Sequence, residues 1–517
     1  MPSYLTPGVY VEEVQSGARP IEGVGTAVAA FVGFAGSGPF HEPTLVTNWD
    51  QYVQRFGGFI EGTYLAHAVY GFFANGGGSA YVVRIGDPAR QAPGGAPTPA
   101  AVTAAPPAEV SGFLISALPG AGGDVSVEIA DAEGENVPDD RFRLLVRRGA
   151  EVVESYDVST RKNTKGYVVT QLRESKLVAV TEQPGTAPSR PERRTHALAA
   201  AAAPATGPVP APAARLDPAE YVGDAAARTG FAGLEAIDEI TMVAVPDLMS
   251  AYQRGDLDDE GLRTVQLAVI SHCEQMGDRI AVLDPPPGLN AQRMRTWRQD
   301  EAGYDSRYAA LYYPWVKVFD PATGRNVLVP PSGHAAGVWA RSDAERGVHK
   351  APANEVIRGA VDLELRLSKG EQDLLNPIGV NCVRAFPGRG IRIWGARTLS
   401  SDPAWRYLNV RRLFNYLEES ILLGTQWVVF EPNDDRLWSS IRRNITAFLT
   451  EEWRRGALFG QTAAEAFYVK CDRDNNPPES IDLGQVICEI GVSPVKPAEF
   501  VVFRLAQFSD STSLVNE

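Results

Sequence analysis

The stretch from 330 to 360, PPSGHAAGVWARSDAERGVHKAPANEVIRGA, gathers the side chains best equipped for chemistry. Ser332, His334, Asp343, His349 and Lys350 supply a nucleophile, two bases, a carboxylate and an amine in one short segment. A serine nucleophile needs a held base and an oxyanion pocket, and the patterns that build them, GxSxG and SxxK, are absent from it. The segment therefore reads as prolines and glycines fixing turns, with the charges pairing within or between copies of the chain. An enzyme, hydrolase-like on an α/β scaffold, is a competing functional class that these absences disfavour.

Other motifs fail on a single residue. Asp472-Arg473-Asp474-Asn475-Asn476 imitates the start of an EF-hand, but its sixth position is Pro477 and its twelfth Leu483, where calcium loops need glycine and glutamate. Gly76-Gly77-Gly78 precedes a strand pattern rather than a helix, so it cradles no phosphate. Cys273, Cys382, Cys471 and Cys488 show no CxxC and no metal-ligand spacing, and their apolar neighbours mark them as reduced core thiols. No metal, cofactor or catalytic residue is expected. Tyr312, Tyr313 and Trp315 read as packing aromatics.

The elements that position these residues follow an alternating pattern. AVAAFVGFA (27–35) is a buried strand, TYLAHAVYGFFANGG a helix closed by glycine, and AYVVRI a strand. EITMVAVPD, EGLRTVQLAVISHCEQM and RIAVLDPPP repeat the strand–helix–strand order, which implies a mostly parallel sheet covered on both faces. Toward the end, Val410, Leu413, Phe414, Leu417 and Ile421 lie on one helical face. TQWVVFEPN reads as a strand. Asn433, Asp434 and Asp435 offer N-caps for a helix ending near Gly456. Its buried stripe is Leu437, Ile441, Ile445, Phe448 and Leu449. Its outer face is Arg442, Arg443, Glu451, Glu452, Arg454 and Arg455. AFYVKCD, LGQVICEIGV and EFVVFRLAQF read as closing strands.

Two Ala/Pro-rich segments, 87–109 and 184–215, have the composition of extended linkers, and the alternating residues 110–183 between them form a β-rich insert. The expected organisation is an N-terminal arm (1–24), a first core segment (25–86), linker (87–109), insert (110–183), linker (184–215), a second core segment (216–375), C-terminal domain (376–508) and C-terminal arm (509–517). The fold class is multidomain α/β: an α/β core, an inserted β-rich domain, an α+β C-terminal domain and extended arms. The start, MPSYLTPGVYVEEV, is no secretory signal, and no run reaches the ~18 apolar residues of a membrane span. A bacterial cytoplasmic site of assembly is expected, without membrane insertion. Formal charge is −14, which argues against nucleic-acid binding. From Asn376 to Gly460, however, stand 12 arginines, no lysine and 8 acids. That lobe is suited to an acidic surface.

Val9, Tyr10, Val11, Glu12, Glu13 and Val14 form a strand ahead of the Gly/Pro/Ser-containing QSGARPIEGVG. A strand on a leash must pair with a sheet edge, its own or a neighbour's.

These arms and the long motifs between them resemble one family. PGVYVEEV, AVAAFVGFAGSGP, NWDQYVQRFGG, ANGGGSAYVVRI and RTGFAGLEAIDEITMVAVPD are similar to contractile tail sheath proteins of phages and tail-like injection particles. So are ALYYPWVKV, PPSGHAAGVWARSDAERGVHKAPAN, LNPIGVNCVRAFPGRGIRIWGARTL, WRYLNVRRLFNYLEESILLGTQWVVFEPN and VSPVKPAEFVVFRL. The insert and linkers carry little of the resemblance. It implies a structural protomer stacked as hexameric rings around an inner tube, contracting to drive that tube through a target envelope. Its implied partners are further copies of itself, the inner tube protein, and baseplate and terminator or cap proteins. The resemblance makes Val9–Val14 and the tail after 508 strand-donating arms and 376–508 their receiver. It also turns Arg442, Arg443, Arg454 and Arg455 toward the tube. A static tube or shell is the alternative, and the long N-terminal leash favours the contractile reading. A two-chain secretion sheath fits less well, because arm, core and lobe share one polypeptide.

Overall fold

A computed structural model of the chain describes residues 20–86 and 217–503. Between them it describes 108–111, 113–117, 125–132, 138, 140–148, 151–162, 164, 166–172, 175, 177–182, 190–191 and 193–197. The Val9–Val14 arm, the tail from 509 and most of both linker segments lie outside these residues. The chain divides into two compact units, Arg90–Ala213 and the remainder.

The larger unit is built on a nine-stranded mixed sheet. Its order is Glu355–Val356, Gly390–Ile393, Val380–Phe386, Ala309–Tyr313, Ile280–Leu283, Met242–Ala244, Val28–Gly33, Ser79–Arg84, Thr44–Val46. The six strands from Val380–Phe386 to Ser79–Arg84 are parallel, and the outer ones are antiparallel. Alternate residues of Val28–Gly33 face opposite layers: Ala30 and Val32 enter one hydrophobic cluster, Ala29 and Phe31 the other. Burial on both faces explains why these strands read as continuous apolar runs. Residues 376–399, assigned by sequence to the C-terminal domain, instead finish this sheet, because Val380–Phe386 pairs in parallel with Ala309–Tyr313.

The 330–360 stretch is also corrected. Ser332–Arg346 is a helix of 15 residues, not a pair of turns. Its glycines serve close packing on the Leu65–Asn75 helix. A Cβ at Gly333 would stand 2.3 Å from Ala68 Cα, and one at Gly337 2.5 Å from the Phe72 carbonyl oxygen. Neither helix carries its own side-chain N-cap. Carboxylates just past the ends of two sheet strands cap them instead: Asp247, the first residue of the Asp247–Arg254 helix, accepts from the backbone N–H groups of Tyr64 and Leu65, and Asp284 from that of Ser332 at 2.8 Å. Such contacts satisfy donors that a helix start leaves open. Burial pushes the Asp247 carboxyl up to about 6 and the Asp284 carboxyl to about 7.

The smaller unit has two antiparallel sheets. Thr195–Ala197, Val125–Ala130, Arg141–Arg148 and Glu151–Ser159 form one; Ala108–Val110, Phe113–Ala117 and Val178–Glu182 form the other. Its cluster includes Phe113, Val127, Phe142, Leu144 and Val178. Strands at 108–110 and 195–197 mean that both expected linkers give up residues to the insert.

Candidate assembly surface

The C-terminal lobe packs the Leu408–Gly424 and Asp435–Arg454 helices against a two-stranded sheet, Phe467–Lys470 with Glu489–Val492. Leu413, Leu417, Leu437, Ile441, Ile445, Phe448 and Leu449 fill its core. Asp434 is the N-cap of the second helix, accepting from the N–H groups of Arg436 and Leu437 at 2.9 Å. TQWVVFEPN is not a strand. Gln426–Val428 makes a single 3-10 turn, and Val429 and Phe430 project into solvent, Phe430 with φ 69°. Its strand propensity goes unused, because the segment pairs with neither strand of the lobe's sheet.

Arg442, Arg443, Arg454 and Arg455 lie exposed on the second helix. Arg442 donates to the Cys471 carbonyl at 3.1 Å and Arg443 to Ser440 Oγ at 3.3 Å, so neither charge is neutralised by these bonds. Arg454 has no ion pair among the described residues. Arg455 is held by Glu452 at 3.0 Å and Glu451 at 3.6 Å. Glu452, expected on the outer face, is buried and accepts from the Tyr416 hydroxyl at 3.0 Å.

A feature missed by sequence reasoning is how the chain enters the core. Residues 20–26, with 20–24 expected to belong to a flexible arm, lie along the Leu408–Gly424 helix. Ile21 is buried against Gly424, where a Cβ would come within 2.7 Å of it, and Val24 N–H donates to Ser420 Oγ at 3.1 Å. Thr26 then meets a buried ion pair. Arg412 and Asp343, 4% and 5% exposed, are joined at 2.5 and 2.9 Å. The Thr26 hydroxyl donates to Asp343 at 2.6 Å, and Arg412 donates to the Thr26 carbonyl at 2.9 Å. One pair thus fastens the incoming strap, the Ser332–Arg346 helix and the C-terminal lobe.

EFVVFRLAQF is corrected over 499–503, its last five residues lying outside the described ones. Glu499 is clamped by Arg397 at 2.6 and 2.8 Å and by Asn376 at 2.9 Å. Beyond it, Phe500, Val501, Val502 and Phe503 are 68–84% exposed and belong to no strand. Such an apolar run has no partner within its own described chain.

The residues singled out for catalysis do not converge. Ser332 is fully buried, and His334, also buried, packs on Gly71 with its pKa lowered by burial to about 4. Asp343 is consumed by Arg412, and Lys350 by Glu355. Asn476 ties Asp472 to Ile487, making the EF-hand look-alike a packed turn. No cluster of metal-ligating side chains occurs among the described residues. A cavity of about 350 Å³ lies against the strap, lined by Val24, Val28, Ile280, Val348 and Leu423 together with Asp238, Asp278 and Glu419. Its wall holds no histidine, serine, cysteine or lysine.

The family models "Phage tail sheath protein central domain" and "Phage tail sheath C-terminal domain" match residues 226–399 and 400–508, together more than half the chain. The chain belongs to the phage tail sheath family. The tail sheath protein of Vibrio phage KVP40 is 31% identical over 214 residues, 41% of this chain and 31% of that protein. A putative prophage major tail sheath protein of Pseudomonas aeruginosa is 28% identical over 251 residues, 47% of this chain and 62% of that protein. The aligned stretch thus spans under two thirds of either relative's length. The fold matches the contracted sheath complex of the extracellular contractile injection system PVC, with TM-score 0.58, 23% identity, and 98% and 99% of the two chains covered. The contracted helical sheath of the anti-feeding prophage gives TM-score 0.58 at 24% identity, over 98% and 100%.

Proposed function

We propose that this protein is the protomer of a contractile sheath, polymerising around an inner tube as stacked hexameric rings and shortening to drive the tube through a target envelope. The observation that carries the proposal is an unfinished lobe. A two-stranded sheet leaves its outer edges without ladder partners among the described residues, while Phe500–Phe503 extends bare of any partner. Strand addition between copies completes both at once, supplying backbone hydrogen bonds and covering apolar surface. In this reading Val9–Val14 and the chain after Glu499 are the donated strands, and the lobe of a neighbouring copy receives them. Arg442, Arg443 and Arg454, with Arg455 at the margin, face the tube, where uncompensated charge would meet an acidic surface. Baseplate and cap proteins would bind the two ends, and assembly would take place in the bacterial cytoplasm. The protein acts by assembly and shape change, without a reaction on a substrate.

The test is negative-stain electron microscopy of the chain expressed alone, beside a variant lacking residues 1–16. Hollow ribbed tubes from the full chain, and soluble folded subunits from the truncation, are the expected pair. Full-length tubes from the truncated protein would refute the arm's role. Only closed small oligomers from the full chain, even when inner tube is added, would refute the sheath reading.

A further inference from the structure

Two of the four cysteines face each other across the lobe's sheet. Phe467–Lys470 and Glu489–Val492 pair antiparallel with Lys470 opposite Glu489. Just outside the other end, Ser493 N–H donates to the Ala466 carbonyl, which makes 466–493 a hydrogen-bonded pair. Antiparallel ladders alternate, so 468–491 and 470–489 are hydrogen-bonded and the next pair outward, Cys471 with Cys488, is of the non-bonded kind. The Cys471 carbonyl should then point away from its partner strand, and it does, accepting from Arg442 at 3.1 Å. Opposed residues of this kind have Cα atoms about 4.5 Å apart with side chains on one face. A disulfide requires about 4.4–6.8 Å. Both thiols are free, and each shifts the other's titration. Cys273 and Cys382 are free and buried in the core.

We propose that Cys471 and Cys488 are an oxidisable pair that closes to a disulfide when the protein meets a small-molecule disulfide, stapling the loop end of the lobe's hairpin. The consequence for assembly rests on the sheath reading: the stapled hairpin is the platform that receives neighbouring strands, and release from a reducing cytoplasm would lock it. The chemistry needs no such reading. Cys488 is half-buried and Cys471 fully buried, which sets the order of attack. The Cys488 thiolate attacks one sulfur of oxidised glutathione and expels glutathione thiolate. The Cys471 thiolate then attacks the Cys488 sulfur of the mixed disulfide and expels the second. The protein loses two electrons and two protons, and one glutathione disulfide becomes two glutathione thiols. Burial raises the Cys488 thiol to about 12 and holds Cys471 above the usual thiol range, with Arg442 pulling both back. Thiolate is therefore scarce at neutral pH, and closure should speed about tenfold per pH unit from 7 to 9.

The full chain is incubated with oxidised glutathione, alkylated after unfolding, and mapped by mass spectrometry. The expected product lacks two hydrogens, carries one Cys471–Cys488 cross-link and retains alkylatable Cys273 and Cys382. Its thermal midpoint should exceed that of Cys488→Ser treated identically. Cys471→Ser should stop at a glutathione adduct on Cys488. Two alkylatable thiols at 471 and 488 after exposure at pH 9, or a persistent adduct in the unaltered chain, would overturn the proposal. Because mass is read after unfolding, whether or not the chain has assembled, failure here is separable from failure to form tubes.

Discussion

Replacing Arg412 with alanine tests whether one buried ion pair holds the arm's root to both halves of the larger unit. Arg412 and Asp343 are about as buried as hydrophobic core residues, at 4% and 5% exposure. Arg412 also lies over the Trp339 ring, 4.9 Å from its centroid. Without the guanidinium, Asp343 keeps only the Thr26 hydroxyl of its charge-satisfying contacts, and the Thr26 carbonyl loses a donor. Removing one partner of a buried pair costs about 3–5 kcal/mol. The double variant Arg412→Met/Asp343→Leu leaves no buried charge; the Thr26 carbonyl keeps the Thr241 hydroxyl at 2.8 Å, so the remaining deficit is the Thr26 hydroxyl, about 1–3 kcal/mol. The assay is hydrogen exchange over residues 20–28 in the isolated subunit, with Trp fluorescence in urea as a second readout. At about 1.4 kcal/mol per decade, local opening in Arg412→Ala should speed exchange there by about two to three and a half powers of ten. The double variant should lie between the single variant and the unaltered chain. A single-variant cost under about 1 kcal/mol, or a double variant worse than the single, would refute the reasoning.

Asp284 and Asp247 make stability fall with rising pH. Their folded values, about 7 and 6, exceed the unfolded carboxylate value, so the folded state holds extra protons across that window. Their contribution is complete below about pH 4 and is lost as pH rises through 6 to 7. Asp284→Asn, which can still accept from Ser332 N–H, should flatten the decline in urea midpoint between pH 5 and 8; parallel pH profiles would sink the assignment. Reversing Arg442 and Arg443 to glutamate should impair loading on the inner tube while sheath-only tubes still form. Normally loaded particles from that variant would remove these arginines from the tube interface.

The elements readable in the sequence are those whose evidence is local. The apolar runs of Val28–Gly33 and Ile280–Leu283, the Gly76 stop and the Asp434 cap all reappear in the fold, because periodicity and capping act within a few residues. Ser332–Arg346 misled because helix-breaking composition, Gly333 and Gly337, is what a tight helix crossing requires, and the crossing partner lies over 250 residues upstream. TQWVVFEPN and EFVVFRLAQF misled for the opposite reason. Their strand propensity is real, yet a strand exists only where it pairs with another edge, and neither segment pairs with one among the described residues.

By itself, then, the sequence determined the family, through long motifs, and the alternating α/β pattern, through the periods of its apolar residues. Tertiary structure alone decided which polar groups meet. Asp343 and Arg412, Asp247 and the Leu65–Asn75 helix, Cys471 and Cys488, and Ile21 and Gly424 are joined across distances in sequence that no local period encodes. Burial, which gives such meetings their energy, arises only once the sheet and its covering helices have closed over them.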